Sequence, residues 1–583
     1  DAQGKTQILD TDRQQVLKEQ QDLEAELFKI SPDIKVVFRY RMVLNAVAVD
    51  APQSYADEIN NLDVEFIEAD ERFYPPAVFK SAEVLPLSAT RQSAMGSSMN
   101  IIGATELHHK QTAPDKNGQK HFIRGQGIRV GVIDSGIDYT HSMLGGSGDE
   151  ALFSAIDSES DTAFFPNSKV VGGRDFVGTF FSSGSHLYEN RIPQPDPNPL
   201  DRSGHGTHVA GSIAGVGDGL STYDGAAPDA ELYALKVFGD QSGGTNDTAV
   251  IAALEYAADP NEDLQPQDHL HVVNLSLGNS SGKPHSLYNI AIHNLTKGGT
   301  LVVVAAGNDG AIAHIVGSPS TSDEALSVAA SIDDREELWQ FPAVEVRTVD
   351  HPQLVEITVE GATTLPIEKA GPVSGSLVYV GLAATDFTPV QVDALRGNIA
   401  LIDRGEVSFD EKIQRAVAAG AIGVVTINNV DGDAFTMGRE GEFPIPGVMI
   451  TKALGDVVKQ QLQKGVATFQ YVSSQKAKKP EYIDTIVSFS SQGPRTIDSK
   501  IKPEITAPGY FITSAAMGSG NRATGMSGTS MATPHVAGLA ALLFQARPEL
   551  VPLEIKSLLM NTSKVIHDRS EERRVGKECR SRW

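Results

Sequence analysis

Four stretches of the chain are almost unbroken in apolar residues, and helical patterns separate them. Ile128 to Ile133 form the core of "IRVGVIDSGID", and "AELYALKVF", "HVVNLSLG" and "TLVVVAAGNDG" have the same texture. Between them lie "GHGTHVAGSIAG", "DTAVIAALEYAA" and "LYNIAIHNLTKGG", whose apolar residues recur at helical spacing. Continuous apolar strands joined through helices predict an α/β fold: a mostly parallel sheet with helices on both faces. This pattern spans residues 99–339 and resumes over 476–568 with "YIDTIVSFSSQGP" and "GMSGTSMATPHVAGLAALL".

The rest of the chain differs. Residues 1–79 predict a small α+β unit. "KVVFRYRMVLNAVAVDAP" alternates like a strand, "QSYADEINNL" has helical spacing, and "VEFIEADERFY" reads as a strand. Residues 80–98 are rich in Ser and Ala and read as a linker. Residues 340–475 are β-rich. Within them "GNIALIDRGEVSFDEKIQRAVAAGAIGVVTINN" reads as strand, turn at Arg404-Gly405, helix, break at Gly420, strand.

Size and charge narrow the possibilities. With 583 residues the chain is too long for one core. A net charge of −25 argues against a nucleic-acid partner, and no apolar run reaches membrane-spanning length. The only cysteine, Cys579, permits no intrachain disulfide. It lies in residues 569–583, "RSEERRVGKECRSRW", which resemble the in-frame translation of a sequencing adapter. That tail is set apart from the functional reading, and the natural chain is expected to continue beyond Asp568. The start at Asp1, without Met, is expected of a chain whose signal peptide was removed or of a fragment.

The chemistry centres on Ser530, placed before an apolar helical stretch. A serine nucleophile needs a histidine base, a carboxylate to orient that base, and donors for the developing oxyanion. Asp134 ends the "RVGVID" strand, His205 opens the helix of "SGHGTHVAG", and Asn308 follows "LVVVAAGN" with a side-chain amide. The Ser530 N–H sits at a helix start, where the helix dipole favours negative charge, and Pro534 suits an early helical turn. Each residue alone also has a bland reading: a turn Asp, a packed His, a turn-satisfying Asn, a helix-capping Ser. The four together do not.

"VIDSGIDYTH", "GHGTHVAG", "LSLG", "AAGND" and "GTSMATPHVAG" resemble the signature segments of the subtilisin-like serine peptidases (subtilases, peptidase family S8). The chain order Asp, His, Ser agrees. The resemblance implies a serine endopeptidase working through an acyl-enzyme, made as a self-processed, secreted precursor. Asp134, His205 and Ser530 would be the triad, and Asn308 with the Ser530 N–H the oxyanion hole. His208 matches the motif's second, non-catalytic histidine, and Asp138 and His141 are read as turn or hydrogen-bonding residues.

Substrate would lie as an added strand between Gly243-Gly244 and Ser276-Leu277-Gly278. Ala305, Ala306, Gly307 and Gly317 would line a primary specificity pocket that favours apolar or aromatic residues. Residues 1–79 are similar to the family's inhibitory (I9-type) propeptide, an intramolecular inhibitor, with processing within 80–98. Residues 340–475 resemble an inserted protease-associated (PA) domain, and a mere spacer role fits them equally.

Protein or peptide substrates are the expected partners, and the chemistry needs no cofactor. A structural calcium is compatible with the family, but its site is not assigned. Met143 in "HSML" stands where relatives often carry an acidic calcium ligand. The rival reading is a catalytically silent, peptide-binding homologue. An esterase is disfavoured because its G-x-S-x-G elbow and Ser, Asp, His order are missing.

Overall fold

The computed structural model describes residues 9–73, 79–85, 94–114, 118–218, 223–240, 244–279, 282–310, 312–334, 340–361, 363–431, 434, 437, 443–478, 482–566 and 577–578. Two compact units emerge, one of residues 1–333 with 484–583 and one of residues 334–483.

The first unit is built on a nine-stranded sheet. Seven strands run parallel in the order Val170–Asp175, Glu231–Lys236, Arg129–Asp134, Val272–Leu275, Leu301–Ala305, Leu326–Ser331 and Ile505–Pro508. The short pieces Lys577–Glu578 and Lys564–Val565 extend its far edge. The apolar continuity of the strands follows from cover on both faces. Ile133, Leu235, Val273, Leu275, Val302 and Val304 pack with helices Asp247–Ala258 and Ser286–Gly298 on one face. Their sequence neighbours Val132, Asn274 and Val303 point the other way and are equally buried. Helices His205–Ala214 and Thr529–Ala546 pack on each other and on the sheet.

The N-terminal segment folds as helix Asp10–Ile30, antiparallel strands Lys35–Tyr40 and Ala46–Asp50, and helix Ala56–Asn60. The long first helix was not read from sequence, because it buries only Gln20 and Leu27 and so carries little apolar periodicity. "VEFIEADERFY", expected to be a strand, shrinks to the two-residue strand Arg72–Phe73. The 80–98 linker is also corrected. Strand Phe79–Leu85 pairs antiparallel with Ala523–Ser527, and helix Ala94–Ile101 follows. A partner strand supplied by residues more than 430 positions away gives no local signal.

The second unit is a closed barrel of seven strands, Gln340–Arg347, Leu354–Glu360, Gly447–Ile450, Gly423–Ile427, Ile399–Asp403, Val373–Tyr379 and Thr468–Lys478. Ile399, Leu401, Val425, Ile427, Val448 and Phe469 fill its interior. Helix Phe409–Ala418 links two of the strands in parallel, and Gly420 takes φ +80° to end the turn after it. No helix among the described residues is long and apolar enough to cross a membrane.

Candidate active site

Three carboxyl-terminal strand ends and two helix starts meet in the first unit. Asp134, the last residue of its strand, is fully buried. Its Oδ1 lies 2.7 Å from Nδ1 of His205 and also accepts the N–H of Ser135 at 2.7 Å. His205 opens its helix, and its position depends on a missing side chain. A Cβ on Gly206 would sit 2.1 Å from the Gly136 carbonyl and 3.2 Å from the Asp134 Cβ, so only glycine lets helix and strand approach this closely. The remaining ring nitrogen, Nε2, is buried without a hydrogen-bond partner.

Ser530 is the second residue of helix Thr529–Ala546 and is fully buried. Pro534 lies inside this helix, deeper than the early-turn placement expected from sequence. It has no N–H to offer the carbonyl four residues back. That carbonyl belongs to Ser530, and it accepts the Ser276 hydroxyl at 2.9 Å instead. The Ser530 hydroxyl donates to the Ser276 carbonyl at 3.2 Å. It therefore points toward the Ser276 strand end in this state and not to His205 Nε2, which is left without a hydrogen-bond partner.

Asn308 is fixed from the same helix start. Its Oδ1 accepts the Thr529 N–H and the Thr529 hydroxyl, both at 2.9 Å. This turns the amide nitrogen toward Gly528, where an added Cβ would lie 3.2 Å from it. The same point at Gly528 would lie 3.6 Å from the Ser530 backbone nitrogen, so the side-chain amide and the helix-start nitrogen come near one another beside Gly528.

His208 is fully buried. Its Nε2 lies 2.9 Å from the Ile512 carbonyl and 3.2 Å from that of Thr524, and burial lowers its pKa to about 3. It is thus a neutral residue that ties the helix to the strand pair behind it. Asp138 accepts the N–H groups of Thr140 and Gly518, and His141 contacts the Arg522 carbonyl at 2.9 Å. Met143 is buried, with its carbonyl bonded to the Val216 N–H.

The expected pocket residues are brought together by backbone. Asn279, which follows Ser276, Leu277 and Gly278, bridges to Ser318, and the Gly317 N–H donates to the Ala306 carbonyl. Ala305 and Ala306 are buried, and Gly307 takes φ +109°. Gly243 falls outside the described residues. Gly244 precedes the short strand Thr245–Asn246, and its carbonyl accepts the Ser183 N–H at 3.4 Å.

That strand is already paired. Arg72–Phe73 of the N-terminal segment lies antiparallel to it, and the Asp247 N–H donates to the Glu71 carbonyl at 3.1 Å. Sequence reasoning missed the residue that docks this segment. Glu255, on helix Asp247–Ala258, accepts the N–H groups of Arg41, Met42 and Val43, the last two at 2.7 and 2.9 Å. Burial raises its pKa to about 7, against the pull of those donors. A glutamate on an otherwise apolar helix face was the available signal.

The sheet, the site geometry and the motifs define the class to which the chain belongs. Residues 125–577 match the subtilase family of the S8 peptidases, and the chain is a member of that family of serine peptidases. It is 32% identical over 468 residues to the minor extracellular protease Vpr of Bacillus subtilis (strain 168), covering 77% of this chain and 49% of that protein. It is 32% identical over 471 residues to the PIII-type proteinase of Lactococcus lactis subsp. cremoris (strain SK11), covering 73% of this chain and 22% of that protein. Against subtilisin-like protease SBT1.4 of Arabidopsis thaliana it is 28% identical over 486 residues, 77% of this chain and 59% of the relative. The chain therefore spans between about a fifth and three fifths of the length of these relatives.

Proposed function

We propose that the chain is a secreted serine endopeptidase that hydrolyses peptide bonds in proteins through an Asp134–His205–Ser530 triad. His205 takes the Ser530 proton through Nε2 as Oγ attacks the carbonyl carbon, and later returns it to the leaving amine. Asp134 holds the ring by Nδ1 and stabilises the imidazolium. The Asn308 amide and the Ser530 N–H receive the oxyanion, and water then releases the acyl group from Ser530. The observation that carries this reading is the 2.7 Å contact between buried Asp134 and His205, whose second nitrogen is left for a proton.

In this reading residues 1–79 are the inhibitory propeptide. Their support is the strand Arg72–Phe73 laid on the cleft edge beside Gly244, where a substrate strand would pair. Processing falls between about 75 and 98. The pocket of Gly278, Ala305, Ala306, Gly307 and Gly317 takes an apolar or aromatic side chain. Residues 340–475, within the 334–483 unit, are read as a PA domain serving substrate access or protein binding, with a spacer role fitting equally; the support is the barrel with its parallel strand–helix–strand core. The chemistry draws on side chains alone, and no ligand set is assigned for a structural calcium.

The silent, peptide-binding alternative is favoured by one observation, the Ser530 hydroxyl turned to the Ser276 carbonyl. Rotation about one side-chain bond between staggered wells reverses that, so the triad reading stands. The experiment is expression of the chain with and without Ser530→Ala. The parent processes itself between 75 and 98 and hydrolyses casein, and a serine-directed fluorophosphonate blocks it. Equal processing and hydrolysis by the variant would sink the assignment.

A further inference from the structure

We propose that Glu71, Asp247 and His285 form a divalent-metal site, of zinc type, that clasps the N-terminal segment to the edge of the catalytic sheet. One ligand atom from each of the three lies within 4.8 Å of the others. Glu71 comes from the N-terminal segment, Asp247 from the start of helix Asp247–Ala258, and His285 caps helix Ser286–Gly298. A bound ion would therefore tie three separate pieces of chain at one point.

The spacing suits an ion better than direct bonds. His285 Nε2 lies 3.4 Å from Asp247 Oδ2 and 3.6 Å from Glu68 Oε2. These are long for hydrogen bonds. Atoms bound at about 2.0–2.1 Å around a tetrahedral zinc stand about 3.4 Å apart, the separation of the His285 and Asp247 ligand atoms, and the Glu71 carboxylate lies within 4.8 Å of both. Two carboxylates and an imidazole match the borderline preference of zinc, whereas calcium needs more oxygen ligands.

The backbone holds the ligands in place beforehand. The Glu71 N–H donates to Asp247 Oδ2 at 3.2 Å, and the Asp247 N–H returns a bond to the Glu71 carbonyl at 3.1 Å. The Asn279 amide donates to Glu71 Oε2 at 3.3 Å.

Carboxylates gather at the site. Asp247 is 2% exposed, and the Tyr288 hydroxyl is a hydrogen-bonding neighbour of its carboxylate. His285 Nδ1 is buried without a hydrogen-bond partner. Asp70 adds a third carboxylate, held by the Asn246 amide at 2.6 Å and the Thr248 N–H at 3.1 Å. A carboxylate buried as fully as that of Asp247 is stabilised by a cation. Because Glu71 precedes the strand Arg72–Phe73, an ion here would hold that strand on the cleft edge, and its removal would loosen it.

The test uses the full chain carrying Ser530→Ala, so that no cleavage is required and the peptidase assignment does not enter. After chelation and dialysis, Zn²⁺ alone is titrated calorimetrically. One equivalent is expected to bind and to raise the melting temperature. Glu71→Gln and His285→Ala on the same background should each weaken binding by about tenfold or more and abolish the thermal shift. Glu71 is exposed, so Glu71→Gln decides alone if His285→Ala fails to fold. Absence of a stoichiometric zinc, or zinc binding by Glu71→Gln equal to the parent's, overturns the proposal.

Discussion

Ser276 and Ser530 exchange hydrogen bonds across 254 residues of chain. The Ser276 hydroxyl donates to the Ser530 carbonyl at 2.9 Å, and the Ser530 hydroxyl donates to the Ser276 carbonyl at 3.2 Å. The first bond exists because Pro534 leaves the Ser530 carbonyl without its helical donor. Ser276→Ala should therefore strand a buried carbonyl and cost about 1–3 kcal/mol in denaturant unfolding. Wild-type stability in that variant would show that the helix start is held by other contacts.

Asn308→Ala should lower kcat by about 10²–10³-fold while leaving KM nearly unchanged, the range found for single oxyanion donors, subtilisin's included. The variant also frees the Thr529 N–H that Asn308 Oδ1 accepts. Its melting temperature should be measured beside the kinetics to separate the two effects.

His208 gives an acid-side signature. Its folded pKa, about 3, lies below the unfolded value, so the folded chain takes up a proton only well below the pH at which the unfolded chain does. The stability linked to it is complete above about pH 6.5 and is lost as pH falls toward 3, by up to about 1.4 kcal/mol per pH unit. Carboxylates with raised pKa, such as Asp196 at about 7, act in the opposite sense, so the parent must be compared with a variant. The difference in stability between His208→Gln and the parent should shrink steadily from pH 7 to 4. A constant difference would show that His208 does not titrate on unfolding.

Glu255→Ala should loosen the N-terminal segment. It removes the acceptor for three backbone N–H groups of residues 41–43. A loss of about 2–4 kcal/mol of docking energy is expected. In the Ser530→Ala background, hydrogen exchange of the 35–50 strand pair should accelerate, with exchange in the central sheet unaltered.

Gly317→Ala tests the pocket floor. The new Cβ would lie 2.1 Å from the Asn279 carbonyl, so backbone must move. Cleavage after phenylalanine should fall further than cleavage after alanine in matched peptide substrates. A uniform fall for both would place Gly317 in a turn of structural importance only.

Much of the central fold was legible because it is local. Strands buried on both faces read as apolar runs, and glycines such as Gly206 and Gly307 mark places where a side chain cannot fit. Asp134, His205, Asn308 and Ser530 were singled out for the same reason: each stands at the end of a periodic segment. The helix Asp10–Ile30 was not legible, since two buried residues make no stripe. Nor was the pairing of Phe79–Leu85 with Ala523–Ser527, which depends on backbone groups that any sequence supplies.

The sequence by itself determined the α/β character of the main unit, the β-rich insertion and the identity of the four candidate catalytic side chains. These rest on periodicity and on residue types that carry chemistry. Only the tertiary structure decided that the Ser530 hydroxyl faces Ser276, that Glu255 receives the N-terminal segment, and that Glu71, Asp247 and His285 converge. Each of those is a contact between residues dozens to hundreds of positions apart. Its energy depends on distance, burial and direction in space, none of which has a period along the chain.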